Sequence, residues 1–187
     1  MKIMKFGGTS VGKPERMHQV AQLITKDAAP KIVVLSALSG TTNSLVEISN
    51  HLAKSDREAA KQCIDKLEAH YRSFVLLLAS GADAQAKANA IVSEHFEFLN
   101  IILRISFSDA LNKDILAQGE LLSTKLFCVF LEEQGIALLS EIAFNPSFTK
   151  AMVKEQTIME YDDASLHQSI YDAFEKIKLL LHVKDNV

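Results

Sequence analysis

Cysteine is scarce in this chain: 187 residues contain two, Cys63 and Cys128, far apart and without a C-x-x-C pair. That excludes a disulfide-dense secreted scaffold and a cysteine-rich zinc site, and it fits a reducing compartment. A basic excess is lacking too. Twenty Lys and Arg against 23 Asp and Glu give a net charge of −3, which leaves nothing to drive binding to a phosphate backbone and argues against nucleic acid as a partner. Apolar runs such as Val75–Ala79 fall far below the ~20 residues of a membrane span. The amino end reaches Gly7-Gly8 before a signal-length apolar core can form. A soluble, cytoplasmic protein with no membrane partner is expected. The six histidines (18, 51, 70, 95, 167 and 182) form no H-E-x-x-H and no pair at metal-ligand spacing, so no metal site is expected. Internal repeats and low-complexity tracts are absent as well.

What remains is an ordinary globular composition, 48% hydrophobic and 23% charged. At this length about 70% of the unfolded surface is buried on folding, enough for a core without disulfides. Residues 2–6 read as a short strand ended by paired glycines. Pro14 and Glu15 suit the first turn of a helix that runs to about residue 26 through Met17, Val20, Ala21 and Ile24. Lys31 to Ser36 is a second strand, and its unbroken β-branched run predicts cover on both faces. Strand, helix and strand make a right-handed βαβ unit.

Beyond the loop Ser36–Asn43, Ser44-Leu45-Val46-Glu47 and Ser55-Asp56-Arg57-Glu58 fit capping boxes. Two apolar stripes, from 58 to about 79 and then to about 111, with Gly81 breaking them, predict an αα-hairpin inserted over residues 56–111. A helix over 113–134 carries Gly119-Glu120, Gly135 caps it, and Ile136 to Ser140 predicts a third strand. A polar loop passes through Asn145-Pro146, and Asp162 or Asp163 caps a last helix. Three strands are few for six helices, so the sheet reads as incomplete and the chain as a piece of something longer.

The sharpest chemical signal is Lys5-Phe6-Gly7-Gly8-Thr9-Ser10-Val11. Twin glycines at the carboxyl end of a strand let backbone N–H groups approach an anion closely and tolerate positive φ. Lys5, in an otherwise apolar strand, calls for a compensating anion such as a nucleotide phosphate. An ordinary βα turn with a snorkelling lysine is the bland alternative. Gly7 through Lys13 also satisfies G-x-x-x-x-G-K. The next position is Pro14 and not the Mg²⁺-binding Ser or Thr of a P-loop, which counts against that motif.

Ile3 to Val11 resembles the amino-terminal signature of aspartate kinases, within the amino-acid kinase (carbamate-kinase-like) fold. Val33-Val34-Leu35-Ser36-Ala37-Leu38-Ser39-Gly40-Thr41-Thr42-Asn43 resembles the family's second-strand loop, and Gln118-Gly119-Glu120-Leu121-Leu122-Ser123 its Gly-Glu-x-x-Ser segment. The resemblance implies an α/β domain, a mainly parallel sheet covered by helices with a helical-hairpin insert, of which residues 1–187 would be the amino-terminal portion. It implies that Lys5 binds ATP phosphates and stabilises the transferring group, with Gly7, Gly8, Thr9 and Ser10 around those phosphates. It further implies that Ser36, Thr42 and Glu120 line the aspartate pocket, with Glu120 on the ammonium group. ATP, with Mg²⁺ carried on it, and L-aspartate would be the small-molecule partners, and the full-length parent a homo-oligomer.

The activity implied is transfer of the ATP γ-phosphoryl group to the β-carboxylate of L-aspartate, the entry to lysine, threonine and methionine synthesis. A Gly-Arg-Gly-Gly-Ser-Asp-like segment, a substrate-clamping arginine motif, ACT-type sensor domains and a homoserine dehydrogenase module do not occur in the sequence. Little or no kinase activity is therefore expected of the 187 residues alone. Two alternatives stand beside this reading: a related enzyme of the same fold with another acceptor, and a non-catalytic interaction module using the 56–111 hairpin.

Overall fold

A computed structural model describes residues 2–136, 138–142 and 145–181, the side chains of Leu180 and Leu181 excepted. The chain divides into two compact units, Met1–Ile136 and Ala137–Val187.

The first unit opens with β1 (Lys2–Phe6), a one-turn helix α1 (Gly8–Val11), α2 (Pro14–Thr25) and β2 (Lys31–Leu35). The strands pair in parallel, from Lys2 opposite Lys31 to Phe6 opposite Leu35, which is the expected βαβ unit. Pro14 takes the first position of α2 and Lys13 precedes it as N-cap. Met17, Val20 and Ala21, at helical spacing, form the buried face of α2.

The expectation of cover on both faces of β2 fails. Along β2 exposure alternates, with Ile32 and Val34 each 45% exposed and Ile3 opposite them 71% exposed. Period-two alternation puts Ile3, Lys5, Ile32 and Val34 on one face, and that face is open. An unbroken apolar run records the residues a strand carries, and cannot say whether the second covering layer lies within the same chain.

Helices α3 (Thr41–Ala53), α4 (Arg57–Leu78), α5 (Ala82–Ile102) and α6 (Asp109–Glu133) complete the unit. The hairpin α4–α5 forms, but its second helix ends at Ile102 and not near 111, and α6 starts at Asp109 and not at 113. The hairpin's buried stripe, including Ile64, Tyr71, Val92 and Phe96, belongs to one core cluster with Leu45 and Ile48 of α3 and Leu122 and Leu126 of α6. Two helix starts differ from the sequence expectation. Helix α3 begins at Thr41, after Gly40 in left-handed geometry (φ 86°), so Ser44 lies inside it and caps nothing. Helix α4 is capped by Asp56, whose carboxylate accepts from Ala59 N–H at 3.1 Å, while Ser55 before it has φ 60°. Any polar residue with an acid three positions on fits the box. The turn geometry before the helix decides which one is used.

Gly135 ends α6 as expected. At φ 80° its N–H reaches Glu132 and the N–H of Ile136 reaches Leu131. Ile136 and residues 138–140 are not in a strand, and Ala137 lies outside the described residues. Among the described residues the sheet has two strands, β1 and β2.

In the second unit α7 (Pro146–Val153) occupies part of the expected loop, with Asn145 accepting from Ser147 N–H at 2.8 Å and Pro146 at the first position. Asp163 accepts from Leu166 N–H at 3.1 Å and starts α8 (Ala164–Leu181).

Candidate active site

The carboxyl ends of β1 and β2 bring the first two sequence signatures together. Ser36 N–H donates to the Phe6 carbonyl at 3.0 Å, extending the ladder one step past both strands. The Gly7–Ser10 and Ser36–Gly40 segments therefore leave the sheet side by side.

Two glycines close the space between them. A Cβ on Gly8 would lie 3.0 Å from the Ala37 carbonyl oxygen, and one on Gly12 would lie 2.5 Å from the Ser39 Cβ. Their role is close approach and not left-handed geometry: Gly7 has φ −76° and Gly8 is helical. The positive φ that glycine tolerates is not used here, because the chain turns straight into α1. Thr9 and Ser10 lie within that single turn, with Ser10 N–H donating to the Gly7 carbonyl at 2.8 Å. Arg16 donates to the Thr9 carbonyl at 2.6 Å and braces the turn.

Lys5 is exposed on the open face of β1, so burial does not force a partner on it. Its ammonium leans over the glycine turn all the same, with Nζ 3.9 Å from where a Gly7 Cβ would be.

The third signature arrives from α6. A Cβ on Gly119 would stand 2.7 Å from the Ala37 Cβ and 3.2 Å from Thr41 Cγ2. Only a glycine lets α6 press this closely on the Ser36 loop. One turn on, Ser123 donates its hydroxyl to the Ser36 carbonyl at 2.8 Å, and its side chain is fully buried. Glu120, beside that glycine, is exposed. So the Gly-Glu-x-x-Ser spacing has a mechanical reading: glycine for contact, serine for the hydrogen bond, and glutamate on the exposed side.

Thr42 lies exposed in the first turn of α3, a helix start without a side-chain cap. Its neighbour Thr41 is buried and shares a 3.0 Å hydrogen bond with Tyr71 Oη. Burial pushes the Tyr71 phenol up; the Thr41 bond opposes this and the Glu120 charge adds to it. Tyr71 was missed as a site neighbour because its spacing marks it only as core. A buried tyrosine hydroxyl needs a partner, and that was the available signal. The cavity of about 520 Å³ that opens at Ser39–Thr41 runs between α3 and α4 toward His70 and takes in neither Lys5 nor Glu120. A shallower one of about 320 Å³ touches Thr9 and Ser10.

The profile described as "Amino acid kinase family" matches residues 1–173. The chain belongs to that family. Among curated amino acid kinase relatives it is 33% identical over 172 residues to aspartokinase 3, chloroplastic, of Arabidopsis thaliana, covering 83% of this chain and 29% of that protein. It is 31% identical over 141 residues to lysine-sensitive aspartokinase 3 of Escherichia coli, covering 72% and 29%. A solved structure of E. coli aspartokinase III with aspartate and ADP matches with a TM-score of 0.59 and 27% identity, over 72% of this chain and 29% of that one. The chain thus spans about three tenths of the length of these relatives. Among the described residues, no helix is long and apolar enough to cross a membrane.

Proposed function

We propose that this amino acid kinase chain carries the aspartate side and one phosphate loop of an ATP:L-aspartate 4-phosphotransferase. The observation that carries the reading is the convergence on one loop. Ser36 bonds to the end of β1, Ser123 bonds to Ser36, and Gly119 packs on Ala37 and Thr41. The three signatures thereby share one end of the sheet.

The chemistry needs little beyond placement. The β-carboxylate of aspartate, with a pKa near 4, is already ionised at neutral pH, so no general base is required. A carboxylate oxygen attacks the γ-phosphorus, the bond to the β,γ-bridging oxygen breaks, and ADP leaves with that electron pair. An acyl phosphate is the product. The obstacle is bringing two anions together, which positioning and charge neutralisation overcome. Lys5 supplies a cation above the turn, and the phosphates would lie against the Gly7–Ser10 turn beside it. Thr42 and the uncapped start of α3 suit the substrate carboxylate, and Glu120 the substrate ammonium. Mg²⁺, carried on ATP, would neutralise phosphate charge. A cytoplasmic setting, where such nucleotide is abundant, fits this use.

Trapping the acyl phosphate with hydroxylamine as a hydroxamate tests the reading in the full-length protein. Lys5→Ala is expected to lower kcat/KM by about 10²–10³-fold, the usual cost of removing one charge-stabilising donor. Unchanged turnover in a folded variant would overturn the assignment.

A further inference from the structure

The α3–α4 connection holds a second constellation, which the function above does not use. Glu47 and His51 stand one turn apart on α3, and Cys63 faces them from α4. One carboxylate oxygen, one imidazole nitrogen and the thiol sulfur of these residues all lie within 4.8 Å of one another. His51 Nε2 is 4.0 Å from Glu47 Oε1. The group lines the 520 Å³ cavity between the two helices, so it is reachable from solvent.

The imidazole is aimed from behind. His51 Nδ1 lies 3.6 Å from Asp56 Oδ2, while the other oxygen of Asp56 accepts the Ala59 N–H that caps α4. The connection itself is pinned: Asp56 N–H donates to the His51 carbonyl at 2.9 Å, across Ser55 at φ 60°. One carboxylate thus starts a helix with one oxygen and stands beside Nδ1 of the histidine with the other, while Nε2 lies on the Glu47 side. Outer carboxylates play this part behind metal-bound histidines.

We propose that Glu47, His51 and Cys63 bind a zinc-type divalent cation, with Asp56 as the outer partner of His51. Thiolate, imidazole and carboxylate together favour Zn²⁺ over Mg²⁺ or Ca²⁺. Tetrahedral zinc spaces such donors by about 3.3–3.6 Å, so the three must close by roughly 1 Å. The exposed Glu47 side chain is free to supply that movement. Three protein donors leave a fourth position to water. Metal binding displaces the thiol proton of a cysteine ligand, so affinity rises with pH. The ion would clip α3 to α4 two turns beyond Thr42. Histidine spacing alone carries no sign of this group, which is a Glu–His pair completed by a cysteine from the next helix.

Cobalt(II) is the probe, added to the reduced, metal-free full-length protein. One equivalent is expected to give a thiolate-to-cobalt charge-transfer band and the strong visible bands of tetrahedral cobalt, with Zn²⁺ displacing it and raising the Tm. Cys63→Ser and His51→Gln should each abolish the thiolate band, while Cys128→Ser keeps it. Asp56→Asn, which can still cap α4, should weaken binding about 10–100-fold. Far-UV circular dichroism verifies each fold, and either of the first two variants decides if the other fails to fold. No thiolate band in the parent, a band that survives Cys63→Ser or His51→Gln, or a band lost in Cys128→Ser would overturn the proposal.

Discussion

Gly119 shows how much one missing carbon can do. Its absent side chain is what lets α6 touch Ala37 and Thr41, and Ser123 then bonds to the Ser36 carbonyl one turn on. Gly119→Ala should therefore overpack this contact and cost about 1–3 kcal/mol, read as a lower urea midpoint. The KM for aspartate should rise in the same variant. Ser123→Ala removes one buried hydrogen bond and leaves the Ser36 carbonyl unanswered, a loss of about 1–3 kcal/mol. An unchanged midpoint in both would mean that α6 is not anchored where the geometry puts it. These residues were legible in the sequence as a motif, but their mechanics were not. Nothing in the string says that Gly119 meets Ala37, because 82 positions separate them. Lys5 illustrates the converse. Burial was the reason given for expecting an anion, yet the side chain is exposed, and what survives is its position over Gly7.

Between elements, α5 and α6 are joined by a polar contact within an apolar seam. His95, 5% exposed, bonds through Nδ1 to Gln118 Oε1 at 2.5 Å, and Gln118 in turn donates to the Asp114 carbonyl at 3.0 Å. That chain fixes Gln118 as acceptor and His95 as the tautomer with its proton on Nδ1. His95 Nε2 is buried without a partner, so a second proton there would be a charge with nothing to receive it. Burial accordingly pushes the His95 pKa below its usual 6.5, against the Gln118 bond, with Lys125 lowering it further and Glu94 opposing. The unfolded chain then takes up a proton that the folded one refuses. This contribution to stability is complete above pH 6.5 and is lost as pH falls toward the depressed folded value, by at most about 1.4 kcal/mol per pH unit. Urea midpoints at pH 7.5 and 5 should differ less in His95→Gln than in the parent protein. An equal difference would place the acid sensitivity elsewhere. Apart from the one-turn α1, helix existence was legible from apolar spacing in this unit. Helix starts were not, because Gly40 and Ser55 set them through backbone geometry that a capping pattern does not encode.

At the scale of the whole molecule, the sheet is the informative part. Two parallel strands carry Ile3, Ile32 and Val34 on an open face next to Lys5, and the chain matches about three tenths of the length of its aspartokinase relatives. An open apolar face beside the proposed phosphate loop fits a site completed by further structure or a second copy. The 187 residues alone are accordingly expected to release ADP with aspartate at little above background, and turnover at the full-length rate would contradict this. The parallel βαβ unit and the hairpin were legible in the sequence, as strong periodic signals are. The one-sided cover of β2 was not, since it depends on what lies outside the strand.

The most direct measurement is hydroxamate formation from ATP and aspartate by the full-length protein, with Lys5→Ala and Lys13→Ala compared side by side. The cation over the glycine turn is assigned the phosphoryl group, and Lys13 only precedes Pro14 as the N-cap of α2. Lys5→Ala should therefore lose about 10²–10³-fold while Lys13→Ala stays near the parent rate. The opposite pattern, with Lys13 essential and Lys5 dispensable, would contradict the account.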